Sequence, residues 1–311
     1  MRFLWIVLVA FPLAATVKAD PPPAVGAPGP EPAVTVLDPG REPRRTLRLT
    51  PRAGDRQDFS IAMALSLGMA FGEQPVTMRE LPSIVLPFTV RVTGVLSNGD
   101  VETEFRCGKV DVLATPGTDP MMVDMMKAVC AGVEGVSGTS RCSARGVMLE
   151  SRLSIPENMD PGAKVVLAGM GDAVGRISFP LPEEPVGAGA RWQVVNRLPG
   201  EAGGAEQKAT WTLVLLDGDR FTVTSASAIR AGEGMIQVLP GRVPLRRRSL
   251  ESMASAVMKG ELSRLAPGET ILESSIIERI EVKPGTVMTR RTAVKSRMSS
   301  TPDSPSTPAG D

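Results

Sequence analysis

Large and small or polar side chains alternate with a period of two along most of this chain, and the clearest run is residues 61–71. There Ile61, Met63, Leu65, Leu67, Met69 and Phe71 are large, while Ala62, Ala64, Ser66, Gly68 and Ala70 are small. A helix would scatter the large set around its circumference, whereas a strand collects it on one face. The run therefore predicts a long strand with one bulky and one shallow face. It is either a core strand or one wall of an apolar cavity.

Turn chemistry joins further alternating runs into hairpins. Residues 88–96 and 101–113 flank Ser97, Asn98, Gly99 and Asp100, and Asn-Gly between alternating runs is a strong hairpin signal. Residues 209–216 and 220–229 flank Asp217 and Gly218. Residues 249–265 and 270–282 flank Ala266, Pro267, Gly268 and Glu269. A short strand is expected at 46–51 before the turn Arg52-Ala53-Gly54-Asp55, another at 136–143, and a last one after Pro284 and Gly285.

Two segments follow helical spacing instead. In 119–133, Asp119 is placed to cap the N-terminus, Pro120 takes the first position, and Met122, Met126, Val129 and Val133 share a face. Residues 159–177 repeat the start signal with Asp160 and Pro161. Between them and the later strands lies 179–192, FPLPEEPVGAGARW, whose prolines make a stiff crossing that delivers Trp192 into the next strand. The expected fold is mainly β with α+β character: a curved antiparallel sheet or half-open barrel built from hairpins, with two short helices packed on it.

The ends are of a different kind. Residues 1–19 have the layout of a secretory signal peptide, with Arg2 before an apolar run and Val17-Lys18-Ala19 at the cut. The run is shorter than the ~20 residues of a spanning helix, so no transmembrane anchor is expected after cleavage. Residues 20–45 read as a Pro-rich linker and 296–311 as a disordered tail, which leaves one domain at 46–295. The expected location is exported, periplasmic or extracellular.

Composition then removes chemistries. The 311 residues hold 35 basic and 34 acidic side chains, so charge gives no case for nucleic acid. His and Tyr are absent, which takes away the commonest general base, the commonest metal ligand and every His-activated nucleophile. Gly169, Gly171 and Gly175 resemble a dinucleotide fingerprint, but the prolines from Pro180 on leave no room for the helix that would meet a pyrophosphate. No catalytic, metal or cofactor-binding residue is assigned, and no cofactor is expected. Export makes a disulfide feasible among Cys107, Cys130 and Cys142. Cys130 with Cys142 closes a short loop worth ~3 kcal/mol on the chain-entropy model and is the favoured pair, with Cys107 a buried thiol or alternative partner. The run Arg246-Arg247-Arg248 reads as a solvated strand edge or a contact for an anionic partner. Glu102 and Glu104 share a strand face and read as solvated.

With these residues in place, the motif Leu181-Pro-x-x-Pro-Val-x-x-Gly-x-x-Trp192 and the arm around Gly260, Glu261 and Leu262 resemble a family of uncharacterised bacterial exported proteins. The likeness covers 46–282. It departs where that family carries a Tyr in the first strand (Leu47 or Leu49 here) and an acidic residue before Trp (Ala190 here). The family brings no known activity. Its layout is similar to envelope lipid and lipoprotein carriers, in which a curved sheet half-closes over helices around an apolar cavity. On that basis the expected function is non-enzymatic: an envelope protein holding an apolar ligand, lipid or lipidated partner between sheet and helices. Met63, Leu65, Leu67, Met69, Phe71, Met122 and Met126 are the candidate lining. The rival expectation is a structural or protein-interaction module with a filled core.

Overall fold

The three expected hairpins all form at their turns, and the long alternating run is the strand β2. The computed structural model describes residues 31–154, 179–197, 205–236 and 245–300. In chain order the elements are β1 (Ala33–Asp38), β2 (Arg56–Phe71), β3 (Arg79–Glu80), β4 (Ser83–Val95), β5 (Val101–Cys107), β6 (Asp111–Leu113), α1 (Pro120–Ala131), β7 (Ser137–Cys142) and β8 (Met148–Ser154). They continue as β9 (Arg191–Arg197), β10 (Glu206–Asp217), β11 (Arg220–Ala231), β12 (Gly234–Ile236), β13 (Leu245–Glu261), β14 (Glu269–Lys283) and β15 (Thr286–Ser300).

All of these strands join one antiparallel sheet in the order β1-β9-β10-β11-β13-β14-β15-β2-β4-β5-β7-β8, with β3, β6 and β12 as short additions. The end strands β1 and β8 do not pair with each other, so the sheet is open. It nevertheless curls. The Leu49 and Leu181 amides donate to Ala144 and Arg145 carbonyls in the β7–β8 turn at 2.7 and 2.8 Å, and Arg145 Nε donates back to Leu181 O at 2.8 Å. A turn from one end of the strand order is thus held against the segment that enters β9 near the other end.

Two filled clusters sit on the same, inner face. The first is built on Trp192, Val194, Trp211, Leu213, Phe221, Val223 and Met258, with Leu47, Leu181 and Val186 from the crossings. Phe179 lies against Trp192, Trp211 and Phe221 with ring centroids 6.1, 5.0 and 5.4 Å apart. Trp192 Nε1 donates to Pro180 O at 3.0 Å, which satisfies the one polar atom of a fully buried indole. The extended crossing at 179–190 thus serves as the lid of this cluster. The second cluster joins Leu65 and Leu67 of β2, Ile84 and Leu86 of β4, Cys107 of β5 and Met126 and Cys130 of α1. Helix α1 starts as its sequence dictates: Asp119 accepts from the Met121 amide at 2.9 Å, with Pro120 at the first position.

Several expectations need correction. Residues 33–38, read as linker, form β1, because Val34 and Val36 pack on the first cluster while the backbone pairs with β9. Likewise β15 runs to Ser300, so the tail cannot begin at 296. Residues 46–51 are not a strand. Leu47 is buried, but the amides of Leu49 and Thr50 go to loop carbonyls at Ala144 and Leu262, leaving only an isolated bridge from Arg45 to Val186. The arm expected over 101–113 forms with one interruption: β5 pairs with β4 from Val95 to Phe88, and after residues 108–110 β6 continues in the same direction opposite Val85 to Ser83. Among the described residues α1 is the one helix; the second, expected at 159–177, lies outside them, as does the 1–19 segment.

Candidate functional site

Between the two clusters the inner face changes character. Register across β11, β13, β14, β15 and β2 aligns Ser227, Ala254, Ser274, Val294 and Leu65 in one row. The next row holds Ser225, Ala256, Leu272, Ser296 and Met63, and the row on the other side Ile229, Ser252, Ile276, Thr292 and Leu67. The floor over β11, β13 and β14 is therefore made of Ser and Ala, edged by Ile229, Leu272, Ile276 and Val294. All of these are half-buried, in contrast to the filled clusters on either side. Strand spacing makes this trough about 14 Å wide from β11 to β15.

The opposite face of the same strands carries the charge. Glu251 and Lys259 on β13, Glu273 and Arg279 on β14, and Arg291, Lys295 and Arg297 on β15 are all exposed. Period-two alternation thus gives a charged outer face and an uncharged inner trough. The exception marks one end of the trough. Glu278 and Arg290 stand directly opposite each other on β14 and β15, buried, with Arg290 donating to the Glu278 carboxylate. Beyond them Arg247, also buried, donates from Nε to Gly232 O at 3.2 Å. This corrects the solvated-edge reading of 246–248: a β-bulge between Arg247 and Ser249 shifts the alternation of β13, so that Arg247 stands opposite the buried Ile280 and turns inward. Arg246 and Arg248 both bond Glu233, at the rim, and Arg248 reaches Glu281 at 2.9 Å. Hydrogen bonds from Arg248 and then Arg246 hold the Glu233 carboxyl below the usual carboxylate range.

The residues named as a lining divide between a filled cluster and more exposed positions. Leu65, Leu67 and Met126 are buried within the second cluster, and Met63 packs partly buried on it. Met122 is half-buried on α1. Met69 and Phe71 continue the bulky face past the edge of that cluster and are exposed. At that end the shallow face is covered instead: a Cβ on Gly68 would lie 2.6 Å from Val76 Cγ1 and 2.7 Å from Thr77 O. The trough residues were passed over because Ser and Ala carry little hydrophobic signal. Their trace in sequence is the period-two row Ser252, Ala254, Ala256, matched by Ser225 and Ser227.

The Cys130–Cys142 pairing is not what the structure shows. All three cysteines are free thiols. Cys130 is in the second cluster with Cys107, whereas Cys142 stands opposite Val101. Val101 and Cys107 are the two ends of β5, roughly 20 Å apart on a seven-residue strand.

Two polar clefts lie elsewhere on the described surface. One, of about 640 Å³, opens where the β10–β11 turn and the arm after β13 meet the start of β2, with Arg52, Arg56, Gln57, Asp219, Glu261 and Arg264 on its walls. Its acids are engaged: Asp55 accepts from the Arg52 amide, Asp219 pairs with Arg45, and Glu261 with Arg220 and Arg264. The other, of about 450 Å³, lies over Thr103, Ser140, Glu150 and Arg152. Glu102 and Glu104 are exposed, and Glu104 faces Arg91 at 3.6 Å. Among the described residues no group of three or more His, Cys, Asp or Glu converges as a metal would require, and no described helix is long and apolar enough to cross a membrane.

No family model and no curated protein matches this sequence.

Proposed function

We propose that this chain is an exported, non-enzymatic envelope protein that holds an apolar ligand along the inner face of its sheet. The ligand class is an acyl chain, carried either by a free lipid or by a lipidated partner protein. The observation that carries this reading is the trough. A sheet that filled its inner face throughout would place large side chains between its two clusters, as it does within them. Here Ser225, Ser227, Ala254, Ala256 and Ser274 stand there instead, half-buried and uncharged. Apolar grooves with few polar groups are where proteins seat apolar ligands. This assignment replaces the Met-rich lining, because a filled cluster has no room for a guest.

The test is native mass spectrometry of the protein purified from its own envelope, with organic extraction, alongside Ala254→Phe and Ser274→Phe. An extractable lipid adduct that both substitutions abolish, with the fold intact by circular dichroism, is the expected result. Adducts that persist at full occupancy in both variants would remove the trough from consideration. The rival reading, a protein-interaction module, draws on the outer face, where Met253, Val257 and Ile271 are exposed, Val257 directly opposite Ile271. A ligand-free mass together with loss of a copurifying protein on Val257→Glu would favour it.

A further inference from the structure

We propose that the polar cleft at the start of β2 receives the phosphate-bearing head of a glycerolipid whose acyl chains lie in the trough. This rests on the lipid reading above and adds the class of head and the end at which it sits. The trough does not stop at its Ser and Ala floor. On β2 the inner face continues from Leu65 through Met63, Ile61 and Phe59 to Gln57, about 26 Å by strand rise. Leu272 and Thr270 on β14 and Ser296 and Met298 on β15 keep step with it, and the side chains between Leu65 and Gln57 on this lane are half-buried. Gln57 belongs to lane and cleft alike. Its side-chain amide donates to Ala266 O at 2.7 Å and its carbonyl accepts from the Ala266 amide at 3.1 Å, which fixes the arm carrying Arg264 and Leu265 as one wall.

The cleft holds about 640 Å³, enough for a small polar head. Its carboxylates are answered from within the protein. Asp219 pairs with Arg45, Glu261 with Arg220 and Arg264, and Asp55 turns back onto the Arg52 amide at 2.7 Å. On the cation side, Arg56 reaches only Asp58, at 3.4 Å, and is exposed. The exposed Arg52 guanidinium has no ion-pair or hydrogen-bond partner among the described residues. A guanidinium presents a planar fork of donors that matches phosphate oxygens, so Arg52, with Arg56 beside the same cleft, is equipped for that group.

Thr270 is a second, independent pointer. It stands on the lane between the cleft and the Ser and Ala floor, opposite Met258 on one side and Met298 on the other. Its hydroxyl is buried with no hydrogen-bond partner among the described residues. An orphan buried donor calls for an acceptor. The ester carbonyls just below a glycerolipid head supply one, whereas a fatty acid carries no carbonyl behind its head.

The test offers the purified chain, washed free of lipid in detergent, equal amounts of dipalmitoyl phosphatidic acid and dipalmitoylglycerol, which differ only in the phosphate. Native mass spectrometry reads the occupancy of each. Expected is about a tenfold preference for the phosphate lipid. Arg52→Gln/Arg56→Gln should abolish that preference, with dipalmitoylglycerol uptake and the circular dichroism spectrum unchanged. Thr270→Val should lower uptake of both lipids and spare uptake of palmitate. Equal occupancy in the parent, or a preference that survives the double substitution, would overturn the assignment and leave the trough standing as an apolar site. Inorganic phosphate that binds in millimolar excess without displacing phosphatidic acid would mark the cleft as a site for the free ion and overturn it as well. No uptake of either lipid or of palmitate would remove the trough reading, and this inference with it.

Discussion

Two ion pairs on the same two strands occupy opposite faces of the sheet, and this makes a direct experiment. Glu278 and Arg290 are opposite each other on the inner face, with side chains 4% and 10% exposed. Glu273 and Lys295 are opposite each other on the outer face, 3.2 Å apart, with side chains 59% and 74% exposed. Removing one partner of a buried pair strands the other charge in low dielectric, so Glu278→Leu or Arg290→Met should each cost about 3–5 kcal/mol. For a chain of this size that is a fall of about 6–20 °C in melting temperature. Removing both charges together should recover most of the loss, leaving the double variant within about 2 kcal/mol of the parent. The coupling energy is then at least about 4 kcal/mol. Glu273→Gln, in water and screened, should cost at most about 1 kcal/mol. Urea unfolding at neutral pH, followed by tryptophan fluorescence and circular dichroism together, reads all four. The reasoning fails if either inner single variant loses less than about 1 kcal/mol, or if the double loses as much as the two singles added.

Other expectations concern the crossing segment and acid. A Cβ on Gly187 would lie 1.9 Å from Arg41 O, a backbone atom, whereas one on Gly189 meets nothing, although Gly189 has φ +85°. Gly187→Ala should therefore cost about 3 kcal/mol by overpacking and Gly189→Ala about 1 kcal/mol by backbone strain alone; equal midpoints in urea would count against this packing. Glu233, Glu269 and Glu281 all have carboxyls held below the ordinary range, chiefly by Arg248, Lys259 and the Gly285 amide respectively. Their stabilisation is full above the ordinary carboxylate range and is lost as pH falls through the lowered values. Urea midpoints should therefore drop between about pH 5 and pH 3, with a shallower drop in Glu281→Gln.

Hairpins were legible because their information is local. Asn98-Gly99 and Asp217-Gly218 specify the reversal, and the flanking alternation specifies the faces. The long strand through Leu65 was equally plain. What alternation cannot give is the partner, so the bulky face was read as one surface although a cluster covers only part of it. Strand β1 was hidden because its signal is two valines in a Pro-rich stretch, and what makes it a strand is the exposed edge of β9 far along the chain. The buried charges were hidden for the complementary reason. Glu278 and Arg290 occupy inward positions of the period-two pattern, where charge reads as a break in it, and Arg247 is turned inward by a β-bulge that sequence alone does not announce. The trough is faint in sequence for the same cause: what distinguishes it is the lack of bulk in rows that only register assembles.

The strand order also interlocks the two halves of the chain. Strands β2 to β8 and β9 to β14 each form a continuous run, but the first strand, β1, pairs with β9, and the last, β15, pairs with β2. Each terminus is thus gripped by the half of the sequence farther from it. A single backbone break between Ser154 and Phe179 would leave two pieces that still share both seams. Such pieces, produced separately, are suited to reassembly as a split protein, with β15 contributing the longer seam. Conversely, the longer of the two seams cannot close until the fifteen residues of β15 have been made.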